Sequence, residues 1–366
     1  MDLTYAVTLA PLRFYLMEFD MNVSAALRVS SEPIAIVGNI NLDIKTSRIA
    51  IAEGIMADGE TSVTEIYETL GGGGANTALA AAALGGCVHF FGCIGSDALG
   101  DRLEAALIEH RIAAHLSRKP TSSGRSINLN WDNGSRHFIS SLPNNRLMTA
   151  ADIDPGLLVS SGCRCLLRSD VWFSDAMLAG GNALLLAQAH QRGIETYIDI
   201  NWDPEWRVPG QDERIRKRRE QLTAILPLVD YAHGNERELG FFTGCDNVLD
   251  ACRFLAARGC TNIVVHRGAM GAASFSEAEG WIEVPAIPVK SAVSATGCGD
   301  VFCAAHMLLG DLPARDRLET SARIAAEHLS GARILIPRLS ERAPLCRNKD
   351  DHARQAPSCA ANDPRL

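Results

Sequence analysis

Near the end of the chain, the segment SATGCGDVF (residues 294–302) sets Gly297 and Gly299 around Cys298 and puts Asp300 directly behind them. Small residues ahead of the apolar run VFCAAHMLL (301–309) predict the amino end of a helix whose first backbone N–H groups can face one anion. An acid in a first turn is also an ordinary dipole partner worth up to ~1 kcal/mol, so Asp300 takes its meaning from its companions. A second such turn, GGGGAN (71–76), opens the run TALAAAALGG, which predicts a helix with a closely packed face and a glycine stop. Polar residues also follow short apolar runs: Asn41 and Asp43 after IAIV (34–37), Asp199 and Asn201 at the end of TYIDIN, Asn235 and Glu238 after YAHG. Such carboxylates and amides can hold hydroxyls, water or a hard cation. Each has a plainer reading. Asn235 and Glu238 fit an N-cap and a first-turn acid, Gly268 and Gly271 fit a strand-ending turn, and Asp199 and Asn201 fit a loop.

These residues need a frame. The run IAIV, ending at Gly38, is a short buried-type strand. From residue 171 onward, VWF, TYIDI, YAHG and NIVVH read as strands, separated by helical stretches such as ALLLAQAHQRG and VLDACRFLAARG. VHFFGCIG (88–95) followed by a helix over about 98–110 is one more unit of this kind. Alternating β and α predicts an α/β fold in three layers, with a mostly parallel central sheet, and ligands then bind at the carboxyl ends of the strands. Two segments interrupt the alternation. SRIAIA and SVTEIYE flank a turn at 57–60 and predict a hairpin over about 45–68; residues 123–141 alternate around Asn133-Gly134, a strong hairpin signal. Together they predict a small β lid.

With 366 residues, 47% of them hydrophobic, the chain can bury a substantial core. A net charge of −8 argues against a general nucleic-acid binder; the basic run RIRKRR (214–219) lies among helix formers with Glu213 and Glu220 at its ends and reads as a solvated helix face. The eleven cysteines, among them Cys87, Cys93, Cys252, Cys260 and Cys303, sit in apolar runs and predict reduced thiols in a cytoplasmic protein. Cys163 and Cys165 have no second pair to give zinc spacing. Residues 1–32 read as an extension without the features of a signal peptide or a membrane span, with Met21 as an alternative start. Residues 33–342 form the folded domain, and 343–366 a loose polar tail.

With these motifs in view, the chain resembles the ribokinase-like, or PfkB-type, carbohydrate and nucleoside kinases from about residue 33 to 339. The residues that carry the resemblance are GGGGANTA (71–78) with Ala83-Leu84-Gly85, Asp199-Ile200-Asn201, Asn235-Glu236-Arg237-Glu238, Arg267-Gly268-Ala269-Met270-Gly271 and ATGCGDVF (295–302), in the family's order. The resemblance implies a ribokinase-like fold and transfer of the γ-phosphate of ATP, with Mg2+, to an alcohol of a small sugar or, alternatively, a nucleoside. Asp300 would be the general base. Gly297, Cys298 and Gly299 would form the anion hole. Asn235 and Glu238 would organise magnesium, largely through water, while Arg267, Gly268 and Gly271 would border the nucleotide. Asp43, Asn41, Gly72, Gly74 and Asn76 would hold the acceptor. The hairpins would cover it and can also serve a homodimer.

The sequence departs from the family at three points. Gly73 stands where ribokinases usually carry a sugar-contacting lysine, so ribose is not singled out. Ser294 replaces an aspartate that in many members helps bind a monovalent cation, which leaves potassium dependence open. Cys298 replaces a common alanine, and a thiol at a helix amino end can be unusually reactive. Asp175 and Arg207 are further polar candidates without an assigned role. A nicotinamide oxidoreductase would need its glycine fingerprint directly after the first strand, where this chain has GNINLD; a phosphate-loop NTPase would need a Gly-x-x-x-x-Gly-Lys-Ser/Thr motif that is absent. A kinase-like sensor that binds a sugar or nucleoside without turnover is the remaining rival, and an intact acid beside an anion cradle speaks against it.

Overall fold

Strand β1 (Ile34–Val37) shows how the layers arise. All four of its side chains are buried, with Ile34 and Ile36 entering one hydrophobic core and Ala35 and Val37 the other, as alternation in a strand covered on both faces requires. The computed structural model describes residues 30–339 except 53, 54, 56, 294 and 295, and the side chain of Arg207 is also outside the description. The expectations for the amino-terminal extension, the second methionine, the carboxyl-terminal tail and Ser294 fall largely or wholly outside these residues.

In chain order the strands are β1, β2 (Asn41–Thr46), β3 (Ile66–Gly71), β4 (Val88–Gly95), β5 (Ala113–Lys119), β6 (Arg125–Asn130), β7 (Arg136–Ser141), β8 (Cys165–Arg168), β9 (Glu195–Asp199), β10 (Tyr231–Asn235), β11 (Asn262–His266), β12 (Ala272–Ser276) and β13 (Gly280–Val284). Nine form a large sheet in the order β13-β12-β11-β10-β9-β8-β1-β4-β5. It is parallel from β11 to β5, and β12 and β13 add an antiparallel edge. The chain leaves β1 toward β4 and returns on its other side at β8, so the strand order reverses beside β1. Open α/β sheets have their crevice at such a reversal.

Helices cover both faces. Gly73–Ala83, Ala98–Glu109 and Cys298–Leu308 contribute to the core around Ile34, while Asn182–His190, Glu236–Thr243 and Val248–Ala256 contribute to the one around Val37. Among the described residues no helix is long and apolar enough to cross a membrane. Eight described cysteines are free thiols.

The remaining strands form a second sheet, β3-β2-β6-β7. Its β6–β7 hairpin turns at Gly134, whose φ of 83° suits the Asn-Gly turn read from sequence. The other pairing lies elsewhere than expected. β2 and β3 pair antiparallel from Asn41↔Gly71 to Thr46↔Ile66, and SRIAIA contributes only an isolated bridge, Ile49 to Trp131. Asn41 and Asp43 therefore stand in a strand of the small sheet. Likewise VWF is not a strand: β8 is CLLR, a few residues earlier, because two-sided burial in the large sheet suits that apolar run, while Trp172 packs below its end against Trp206 and Phe242.

Candidate active site

The helix Cys298–Leu308 begins at Gly297, which adopts the left-handed conformation (φ 82°). A side chain there would be strained, and its Cβ would fall 2.3 Å from Ile336 Cδ1. The helix is then anchored by a wholly buried run from Val301 to Leu308, so its first turn, residues 297–300, is held rigidly with its N–H groups facing the amino end. Asp300 sits in that turn. Burial, with Asp170 and Glu238 nearby, pushes its carboxyl up to about 8, against the opposing effects of Asn76 and Lys45. The Cys298 thiol is pushed up by burial to about 11, the direction opposite to that of an activated thiolate.

Asn76, in the helix Gly73–Ala83, donates through Nδ2 to Asp300 Oδ2 at 3.0 Å. The glycine turn before it packs backbone to backbone against the end of β1: a Cβ on Gly74 would come within 2.6 Å of Gly38 Cα. Its amides are also tied down. Asp170 accepts from Gly74 N (2.8 Å), Gly73 N (3.2 Å) and Asn39 N (2.9 Å). Asn201 Oδ1 in turn accepts from Asp170 N at 2.7 Å, and Asn201 Nδ2 donates to Asp199 Oδ2 at 2.8 Å. Asp199 and Asn201 thus belong to the support of the glycine turn. Asp170 was not picked out from the sequence; with the strand placed on CLLR, an acid two residues past a strand end is the signal that would have found it.

Asp43 faces the same region. Asn41 Nδ2 donates to its Oδ1 at 2.7 Å and Lys45 Nζ lies 4.0 Å from its Oδ2. Burial pushes Asp43 up to about 6 despite Lys45 and Asn41, and the Lys45 ammonium is lowered by burial, an effect opposed by Asp43 and Asp300. Lys45 was also missed; it alternates with Asn41 and Asp43, a signal only once β2 is known to be a strand.

Asn235 and Glu238 form a reciprocal capping box: Asn235 Oδ1 accepts from Glu238 N at 3.0 Å, and Glu238 Oε2 accepts from Asn235 N at 2.8 Å. The plain N-cap reading is therefore real, and it engages the Glu238 carboxylate through Oε2. Burial pushes Glu238 up to about 6. Asp199 is raised well above the usual range, first by burial and then by Glu238, Asp300 and Asp170. Burial raises the proton affinity of all four carboxylates, and in Asp199 and Asp300 the neighbouring acids add to it; no group of three metal-ligating side chains is preassembled among the described residues. Gly268 (φ 56°) and Gly271 (φ 97°) bound the turn between β11 and β12. Arg267 is held there by Glu236 Oε1 at 2.6 Å and by Glu283. Asp175 lies apart from the cluster, paired with Arg214 and Arg218.

A family model for pfkB family carbohydrate kinases matches residues 32–328. The chain belongs to the pfkB carbohydrate kinase family. It is 27% identical over 299 residues to a ribokinase from Arabidopsis thaliana, covering 78% of this chain and 72% of that protein. A cytidine kinase from Thermococcus kodakarensis is 36% identical over a shorter stretch of 113 residues, 30% of this chain and 37% of that one. Among solved structures, a ribokinase II-like protein from E. coli in complex with ATP and Mg2+ superposes with a TM-score of 0.68 at 22% identity, covering 82% of this chain and 93% of that chain. The pfkB fold is thus confirmed, and the chain is a kinase of the sugar or nucleoside type.

Proposed function

We propose that this pfkB kinase transfers the γ-phosphate of ATP to a hydroxyl of a small sugar or sugar derivative, with Asp300 as general base. The observation that carries this reading is the Asn76–Asp300 hydrogen bond, which joins the glycine turn on the acceptor side to the glycine-headed helix. As the acceptor oxygen forms its bond to the γ-phosphorus and the bond to ADP breaks, Asp300 takes the hydroxyl proton. A base pushed up to about 8 is matched to that transfer near neutral pH. The amides of Gly297, Cys298 and Gly299 offer fixed donors to the equatorial phosphoryl oxygens, where positioning and electrostatics carry most of the catalysis.

Asn235 and Glu238 would hold Mg2+ through water, with Asp199 adding negative charge nearby. Bound there, the ion would neutralise charge on the phosphates. Arg267, Gly268 and Gly271 would border the nucleotide, with Arg267 shaping the turn through its two glutamates. On the acceptor side, Asp43 and Asn41 would bind hydroxyls, with Gly72, Gly74 and Asn76 forming the opposite wall. The small sheet would act as a lid that excludes water. Its outer face exposes Ile66, Ile127 and Ile139 (64, 41 and 50% accessible), a surface suited to pairing with a second copy.

A nucleoside acceptor is the second reading, favoured by the likeness to the cytidine kinase. The test is ADP release with ATP and Mg2+ against pentoses, hexoses, sugar acids, inositols and nucleosides, with and without potassium. One strong acceptor identifies the substrate. Ligand binding without ADP release from any of them points to a sensor and sinks the kinase reading.

A further inference from the structure

The small sheet carries an unusual inner face. Asn41, Asp43 and Lys45 alternate along β2, and the pairing registers set Thr69 across from Asp43, Ser126 beside Asp43 and Asn128 beside Lys45. Paired residues of neighbouring strands share a face, so these polar side chains form one surface. All are buried, from 0% accessible for Asn128 to 5% for Asp43 and Lys45. Some are satisfied: Ser126 bonds Ser140 at 2.7 Å and Asn41 bonds Asp43. Others are not. Thr69 Oγ1, both amide atoms of Asn128 and Asn76 Oδ1 have no hydrogen-bond partner, and the Lys45 ammonium has only the 4.0 Å contact to Asp43 among the described residues.

Buried polar atoms without partners are rare because each has lost its water and received nothing in return. Several of them around one carboxylate are a prepared complement to something rich in hydroxyls: Asn128 Nδ2 and Lys45 Nζ can donate, Asn128 Oδ1 and Asn76 Oδ1 can accept, and Thr69 Oγ1 can do both. A ring that carries a nucleobase has spent its anomeric hydroxyl on the glycosidic bond and presents a flat base edge where a free polyol presents tetrahedral hydroxyls, so it would leave part of this surface unpaired, a ground for rejection. The aromatic side chains in register with this face, Tyr67 and Phe138, lie on its edge strands; the Arg338 guanidinium sits over the Tyr67 ring at 4.1 Å, and Phe138 is 48% accessible.

We propose that Thr69, Asn128 and Lys45 are specificity-determining residues of the acceptor site, and that they select a free polyhydroxylated ring over one carrying a nucleobase. This rests on the kinase reading for the identity of the site.

The test uses the full chain and its Thr69→Val and Asn128→Leu variants, with thermal shift and calorimetric titration against D-ribose, 2-deoxy-D-ribose, D-fructose, myo-inositol, adenosine and cytidine. At least one free polyol should bind wild type more tightly than either nucleoside, and each variant should weaken that binding 10-fold or more. Without ligand, the variants should melt at or above the wild-type temperature, since they remove an orphan group; a merely structural Asn128 would lower it. Should Asn128→Leu fail to fold, Asn128→Ser provides the same binding comparison. Tighter nucleoside binding, no binding by any of the six probes, or unchanged polyol affinity in the variants overturns the proposal. ATP binding with Mg2+, measured on the same samples, separates this outcome from failure of the kinase reading, since only the latter predicts its loss.

Discussion

The two sheets of this kinase use burial for opposite ends. In the large sheet, most side chains on both faces of the central strands are apolar and enclosed, with Ile34, Ile36 and Phe90 on one face and Ala35 and Leu166 on the other at 0% accessibility. In the small sheet the enclosed face is polar, while isoleucines are exposed outside. Burial of hydrocarbon stabilises the first; burial of unpaired polar atoms burdens the second. The contrast teaches that stability resides mainly in the large sheet, and that the small one is shaped by what it has to bind.

The comparison can be broken in several ways. The largest effect is expected at the junction between the two regions. Asp300→Asn should lower kcat by about 10²–10⁴-fold with ATP affinity retained, measured by ADP release and nucleotide titration; an undiminished kcat would remove Asp300 from the chemistry. The same change should raise thermal stability. An acid whose proton affinity is raised by folding, here from an ordinary 3.8 to about 8, disfavours the folded state increasingly as pH climbs between those values. The gain in melting temperature should therefore be larger at pH 8 than at pH 5.

Next, Phe90→Ala in the large sheet should cost about 3–5 kcal/mol by urea unfolding, whereas polar-to-apolar changes on the inner face of the small sheet should cost none. A smaller effect is expected from Asp170→Asn, which weakens the acceptor of three backbone N–H groups; it should destabilise by about 1–3 kcal/mol and raise the acceptor KM while leaving that for ATP nearly unchanged. The pH dependence sharpens the contrast further. Acceptor binding should strengthen as pH rises through about 6, where Asp43 ionises, and Lys45→Met should move that rise to higher pH, since the ammonium favours the charged carboxylate. A rise that stays in place would show that Lys45 does not govern Asp43. The smallest effect belongs to the outer face: Ile127→Ser should change unfolding free energy by no more than about 0.5 kcal/mol, yet shift any dimer toward monomer in sedimentation experiments.

How much of this was legible in the sequence follows from the same physics. β9, β10 and β11 were readable because burial on both faces gives apolar runs bounded by polar residues, and the candidate residues at their ends follow. The glycine turns were readable because close backbone approach and a positive φ leave few other residues. β2 was not. Its sequence NLDIKT buries Asn41, Asp43 and Lys45, reversing the usual relation between polarity and exposure, so a hydrophobic-pattern reading assigns the segment to a turn. Lys45 was lost with it, and Thr69 and Asn128 offered no motif, only a register that pairing in three dimensions reveals. Asp170 was hidden by placing β8 three or more residues late.

The hydrogen bonds that Asp170 makes to the glycine turn also bear on how such a kinase can change its preferences over time. A new side chain at Gly74 would meet the backbone of Gly38, so that point of the pocket wall is closed to gradual variation. The strands facing it bear side chains that single nucleotide changes can exchange without disturbing the large sheet. Divergence toward new acceptors should therefore accumulate in β2, β3 and β6 while Gly74 stays fixed.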